Sequence, residues 1–421
     1  MRFVHLADCH LDGYREEKLN LMSLDNFKYI VDFGIDKKVD FILLAGDLFN
    51  SALPKIDVLK DVATELKKLK DVDIPVYFIP GSHDFSPNGK TMLDVLESAG
   101  LMINVFKGNI TPSGSLMLNW TVDEKTKAHI TGIHGLKGML DKESYEKLDY
   151  SNLHSSEFKI FMFHTAIKEM MPKDLEMMEA YSMDILPPGF DYYAGGHVHV
   201  RSQKRRMQLD CNEKAETESL NSEKLHAINN NVIYPGPTFP NNFSELQKLK
   251  KGSFIYYEDG KIDLIEIPNK EVQYLEIDCN SKTPSSVEEN FELLLEKVEL
   301  KNKIVLLRFF GTLSEGKTTE INFKKLVKAC MDLGAHIVLK NTNKLESKKI
   351  DDIVITEDSV EDIELNTIDS NLDKSKLPEG FDEKEFILEL IRLLETEQYD
   401  GEKKSTFEER LINDVKRLIK K

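Results

Sequence analysis

Short apolar runs that stop abruptly at a polar residue recur through the first half of the chain, and the stretches between them repeat apolar residues at helical spacing. Arg2-Phe3-Val4-His5-Leu6-Ala7 predicts a first strand that delivers Asp8 and His10, two residues apart and so on one side of an extended backbone. A helix is predicted from Leu24 to Asp36, with Phe27, Ile30 and Val31 on one face and Ser23 as its cap. The run Phe41 to Phe49 is interrupted only by Gly46 and Asp47, which reads as a buried strand turning sharply at its tip. A second helix is predicted from Pro54 to Lys70, with Leu59, Val62, Leu66 and Leu69 as the buried stripe and Pro54 in the first turn. Ile74 to Ile79 forms a third strand before Pro80-Gly81-Ser82-His83-Asp84. Lys159 to Phe163 stops at His164, and Phe190 to Ala194 runs into Gly195-Gly196-His197-Val198-His199, where alternation puts both imidazoles on one side. The pattern is that of an α/β domain with functional loops at its strand tips.

Tyr234-Pro235-Gly236-Pro237 reads as a rigid turn, and Phe254 to Ile267 as a hairpin around Asp259-Gly260. The first domain is placed at 1–268. From Gln273 to Asn341 the order is strand, helix, strand, helix, strand, with Ser285 and Ser286 as capping-box signals, which gives a small α/β module at 269–345. Asp351 to Asp373 holds nine acidic residues and no basic one, so 346–380 reads as a solvated linker. Two amphipathic helices follow within 381–421, Asp382 to Tyr399 and Thr406 to Lys421. They have too little core of their own and call for a partner surface, with packing back on their own chain as the other reading.

Composition narrows the class. At 421 residues and 41% hydrophobic content the chain can bury real cores in two or three domains, and it has no apolar run long enough to span a bilayer. A soluble cytoplasmic protein is expected. Cys9, Cys211, Cys279 and Cys330 are scattered, which suggests neither a disulfide framework nor a zinc knuckle. A net charge of -17 excludes a surface that grips nucleic acid everywhere, so any DNA contact has to be local, metal-assisted or shared. Lys204-Arg205-Arg206 and Lys248, Lys250 and Lys251 are candidate patches, equally consistent with ordinary solvated surface.

The strand ends together supply Asp8, His10, Asp47, Ser82, His83, His164, His197 and His199. Any one of these histidines is more simply a core or surface residue, but eight such groups at successive tips point to ligation. Carboxylates and imidazoles without cysteine suit manganese, iron or zinc better than calcium. One carboxylate with imidazoles on both sides can bridge two ions, which implies hydrolysis of a phosphate ester. His129, His134, His226 and His336 have no such context and read as structural.

Asp8-x-His10, Gly46-Asp47, Gly81-Ser82-His83-Asp84, His164 and Gly195-Gly196-His197-x-His199, in this order, resemble the calcineurin-like metallophosphoesterases. With Leu48-Phe49, Tyr234-Pro235-Gly236, the small module and the terminal helices, nearly the whole chain resembles the SbcD/Mre-eleven family of double-strand-break repair nucleases. The resemblance implies a β-sandwich flanked by helices and a manganese-dependent DNA exo- and endonuclease, nucleoid-associated, with magnesium, iron or zinc as other possible ions. Asp47 would bridge two ions, Asp8, His10 and His199 would surround one, and His164 and His197 the other. Ser82 stands where the family commonly has an asparagine ligand, and Asn50 where many members have histidine. His83 would meet the scissile phosphate without ligating. The resemblance further implies that the 269–345 module caps and orients DNA, that the C-terminal helices dock on an SbcC/Rad-fifty ATPase, and that the protein is a homodimer. A general phosphodiesterase or phosphatase, and a weakly catalytic scaffold, are the other readings.

Overall fold

The computed structural model describes residues 1–86, 89–153, 155–172, 175, 178–201, 231–348, 383–394, 396 and 404–420. Lys204, Arg205, Arg206, Cys211, His226 and the acidic stretch 351–373 lie outside the described residues.

Residues Met1–Ser347 form one compact unit. It is built on two sheets. In the first, β1 (Arg2–Leu6), β2 (Phe41–Ala45) and β3 (Val76–Ile79) run parallel, the short strand Ile103–Asn104 continues the sheet beyond β3, and the antiparallel hairpin β7 (Ser253–Glu258) and β8 (Lys261–Glu266) completes it beside β1. In the second, β4 (His129–Ile133), β5 (Lys159–His164) and β6 (Tyr192–Gly196) are parallel, flanked by Thr121–Val122 and Val232–Ile233. The two-residue period sorts the apolar residues into layers. Phe3, Phe41, Leu43, Tyr77 and Ile79 meet Ile130, Ile160, Met162 and Tyr192 between the sheets. Val4, Leu6, Ile42, Leu44 and Phe78 face outward onto helices α1 (Glu17–Asp36) and α2 (Ile56–Asp71). The continuous apolar runs of the sequence are thus strands buried on both faces, as parallel strands are. The architecture is the expected β-sandwich flanked by helices.

After a short helix α3 (Phe243–Leu249) and the hairpin, β9 (Val272–Asp278), β10 (Ile304–Thr312) and β11 (Ile337–Glu346) form a parallel sheet with β10 in the middle. Val305, Leu307 and Phe309 pack under helices α4 (Pro284–Leu295) and α5 (Phe323–Asp332). The alternate residues Ile304 and Leu306, with Ile337, pack on Leu19 and Met22 of α1, Phe239 and Leu246. In the second unit, Lys348–Lys421, helices α6 (Glu383–Leu394) and α7 (Lys404–Lys420) lie against one another. No described helix is long and apolar enough to cross a membrane.

Three local expectations need correction. Helix α1 begins at Glu17, not Leu24. Ser23 is buried inside it with its hydroxyl donating to the Cys9 carbonyl at 3.3 Å, because the first turns bury Leu19 and Met22 against the small sheet. Pro54 lies before the Lys55 cap of α2, outside the first turn. The cap of α4 is Thr283, whose Oγ1 accepts from the Ser286 N–H at 3.2 Å, with Pro284 as the first helical residue in place of the Ser285 and Ser286 caps.

Candidate metal centre

The parallel ladder of β1 and β2 continues past their ends: Asp8 N–H donates to the Gly46 carbonyl at 3.1 Å, and His10 and Leu11 donate to Asp47 and Leu48 at 3.0 Å each. The strands themselves have ended, however. Asp8 (φ 53°), His10 (φ 42°), Asp47 (φ 53°) and His197 (φ 87°) all sit in the left-handed region, which costs a non-glycine residue free energy and concentrates at functional sites. So the Asp8 and His10 side chains converge through a left-handed turn, not through strand alternation. At the tip of β6 the same departure separates the two imidazoles, His199 joining Asp8 and His10 while the His197 ring stands against His164 with centroids 5.2 Å apart.

Glycines make the space. A Cβ on Gly46 would lie 2.2 Å from His164 Nδ1, one on Gly81 2.3 Å from Asp47 Oδ1, and one on Gly196 2.0 Å from the Ala45 carbonyl. His164 and Asp47 are thereby pressed between four strand tips, and His164 Nδ1 donates to the Ala45 carbonyl at 2.7 Å. That bond leaves Nε2 without a proton in the neutral ring, 3.1 Å from Asp47 Oδ2.

Three linked triads result, each with ligand atoms within 4.8 Å of one another: Asp8, His10 and His199; His10, Asp47 and His83; Asp8, Asp47 and His164. Asp8 and Asp47 are each shared by two of them. His197 enters none, but its backbone N–H donates to Asp8 Oδ1 at 2.9 Å. Ser82 is buried beside His83, whose backbone N–H donates to Asp47 Oδ1 at 2.7 Å. His83 Nδ1 bonds the Asn50 carbonyl at 3.0 Å. Since a carbonyl only accepts, Nδ1 carries the proton and Nε2 is the free nitrogen. The anchor is the backbone of Asn50, so the side chain at this position does not decide where His83 stands.

Electrostatically the site demands a cation. Burial pushes the Asp8 carboxyl up. Burial would raise Asp47 too, but His164 and His10 hold it far below the usual carboxylate range, and His164 is raised to about 10 by Asp47 and Asp8 against the effect of burial. Burial drives His10 down to about 3 and His197 to about 4. Asp8 Oδ2 and His10 Nδ1 are buried without a hydrogen-bond partner. Two buried carboxylates, the His10 and His197 imidazoles that resist protonation, and unsatisfied donor atoms suit divalent ions of the manganese, iron or zinc type.

Two carboxylates escaped the sequence reading. Asp84 accepts from the N–H groups of Asp47 and Gly81 at 2.9 Å and Phe49 at 3.2 Å, tying together the tips of β2 and β3, and burial followed by Asp47 raises it to about 7. Its signal was the aspartate next to His83. Glu245, which accepts from His199 Nδ1 at 3.0 Å, had only the signal of a helix start, Asn242-x-x-Glu245, which marks a capping box and not a site.

A fold of two packed sheets with carboxylates and imidazoles at their common edge defines a metal-dependent phosphoesterase. Residues 1–201 match the family described as calcineurin-like phosphoesterase, and they belong to it. Over 385 residues the chain is 26% identical to the DNA double-strand break repair protein Mre11 of Methanococcus maripaludis, covering 86% of this chain and 89% of that one. It is 27% identical over 296 residues to the protein of that name from Archaeoglobus fulgidus (67% and 62%), and 32% over 215 residues to that from Sulfurisphaera tokodaii (50% and 51%). The chain is a homologue of these archaeal repair proteins.

Proposed function

We propose that this protein is a manganese-dependent DNA exo- and endonuclease of double-strand-break repair that works with a coiled-coil ATPase of the SbcC/Rad-fifty type. The observation that supports the reading is the sharing of Asp8 and Asp47 between triads of ligating groups, as two adjacent ions would require. Asp8, His10 and His199 would hold one, His164 and His197 the other, with Asp47 common to both and Ser82 a weak further ligand. When bound, such a pair clamps the attacking and leaving oxygens of a phosphoryl displacement and makes water acidic enough to attack. His83 does the chain's own part of the chemistry. With Nδ1 held by the Asn50 carbonyl, its Nε2 takes up a proton and delivers it to the leaving oxygen, or stabilises charge on the phosphate.

The similarity to DNA repair proteins over most of the chain supports DNA as substrate, and the 269–345 module as its cap and a homodimer belong to the same proposal. On that module a cavity of about 610 Å³ is lined by Glu288, Glu289, Glu292, Glu315 and Glu320 with Lys325 paired to Glu288 and Glu292, a net acidic face that does not favour phosphate. Lys204, Arg205 and Arg206 remain candidates for the DNA path.

The test is an assay on linear duplex and single-stranded DNA with manganese, run beside His83→Ala. Wild type is expected to cut both, and His83→Ala to lose about 10²- to 10⁴-fold in rate while still binding manganese. If wild type cuts no DNA but hydrolyses a generic phosphodiester, the nuclease reading fails. If it binds metal and hydrolyses neither, it is a scaffold.

A further inference from the structure

Glu245 is tied on every side. His199 Nδ1 and the Asn241 N–H both point at Oε2, at 3.0 and 2.8 Å, and the Asn242 side-chain amide donates to Oε1 at 2.5 Å. The backbone N–H of Glu245 in turn donates to Asn242 Oδ1 at 3.0 Å, the cap of helix α3. A carboxylate only accepts, so the imidazole proton of His199 is on Nδ1 and its Nε2 lone pair is turned inward, 3.0 Å from His10 Nε2 and 3.9 Å from Asp8 Oδ1. In the metal-free protein the two Nε2 atoms share one proton, and together with the Asp8 oxygen they form a donor set that suits a divalent cation. The helix is itself seated: Leu246 is fully buried and Phe243 partly, against Ile304, Leu306 and Ile337 of the small sheet, and the Arg308 guanidinium lies 5.4 Å from the Phe243 ring centre.

We propose that Glu245 is the positioning residue of the metal centre: by accepting the Nδ1 proton it fixes His199 in the tautomer and orientation that bind the ion on the Asp8 side. Since α3 rests on the small sheet at β9 and β10, the small module holds Glu245 in place, and through it one of the two ions. A carboxylate behind a ligating imidazole raises the basicity of the ligand and fixes its ring, and its loss typically weakens metal binding by about 10- to 100-fold. The inference rests on the metal-centre reading above, so its test reads ion binding and not cleavage.

Manganese is titrated calorimetrically into the full chain as wild type, Glu245→Gln, Glu245→Ala and His199→Ala. Wild type is expected to bind two ions. Glu245→Ala is expected to weaken one of them by about 10- to 100-fold, the same one that His199→Ala loses, and to leave the other unchanged. Glu245→Gln, whose amide oxygen still accepts from Nδ1, is expected to lose less. Long-range proton–nitrogen NMR of the metal-free protein should show His199 as the Nδ1–H tautomer in wild type and Glu245→Gln. Wild-type affinity for both ions in Glu245→Ala overturns the proposal, as does equal weakening of both ions, which is the mark of a general structural role. If Glu245→Ala fails to fold, the tautomer and the intermediate affinity of Glu245→Gln decide. A wild type that binds no divalent ion overturns the metal centre and this proposal together.

Discussion

At the scale of single residues, the centre depends on positions that can exist only without a side chain. Gly46 has φ 87°, and a methyl there would stand 2.2 Å from His164 Nδ1. Gly46→Ala should therefore cost about 2–4 kcal/mol, from the left-handed backbone and the displaced ring together. Urea denaturation of the metal-free protein measures it, and a loss below about 1 kcal/mol would show that the tip relaxes freely. The aspartates and histidines were legible in the sequence because each follows directly on an apolar run. Their left-handed backbone was not, since Asp8, His10 and Asp47 carry no local mark that separates them from residues continuing a strand. Glu245 was illegible for a different reason: only the folded chain brings it to His199, and Asn242-x-x-Glu245 reads as an ordinary helix cap.

At the scale of elements, the alternation that built the strands also buried a titratable group. His5 lies on the inner face of β1, fully buried, with Nδ1 3.0 Å from the Tyr192 hydroxyl, and burial pushes its pKa down to about 3. In the unfolded chain this histidine protonates near the ordinary pKa of about 6.5. The folded state thus binds fewer protons between these two values, and stability present above pH 6.5 falls as the pH drops toward 3, by up to about 1.4 kcal/mol per pH unit from this group. His5→Gln should be less stable than wild type at pH 7.5 and should show a shallower decline between pH 6.5 and 4.5. Equal declines in urea melts at stepped pH would exclude His5 as a source of acid sensitivity. The strands and the Asp259-Gly260 hairpin were readable because period and turn chemistry agree there. The start of α1 was not, because Leu19 and Met22 serve the small sheet while Phe27, Ile30 and Val31 serve the large one, so the stripe changes face at Ser23.

At the scale of the whole molecule, the compact unit Met1–Ser347 contains every candidate ligand, and helices α6 and α7 belong to the second unit. Chains ending before Asp382 should keep the metal centre and the cleavage of DNA but no longer co-purify with the ATPase. Unchanged co-purification would place the partner's seat on the first unit. Element spacing predicted an α/β first domain, a small α/β module and a helical pair, and the sandwich was implied only by the family resemblance. Which face of the small sheet meets the sandwich required the alternation of Ile304 and Leu306 against Val305 and Leu307 to be seen in place.

The ladder between β1 and β2 that runs on past the strands into Asp8, His10 and Leu11 has one more consequence. These loops are stitched into the sheet, so they cannot swing aside without breaking hydrogen bonds continuous with the core. Amide protons there should exchange with solvent as slowly as those of the central strands. The Asp8, His10 and Asp47 part of the centre is then always assembled, and whatever turns this protein on or off has to act on who reaches the site or on His199, which is held from outside this ladder by Glu245.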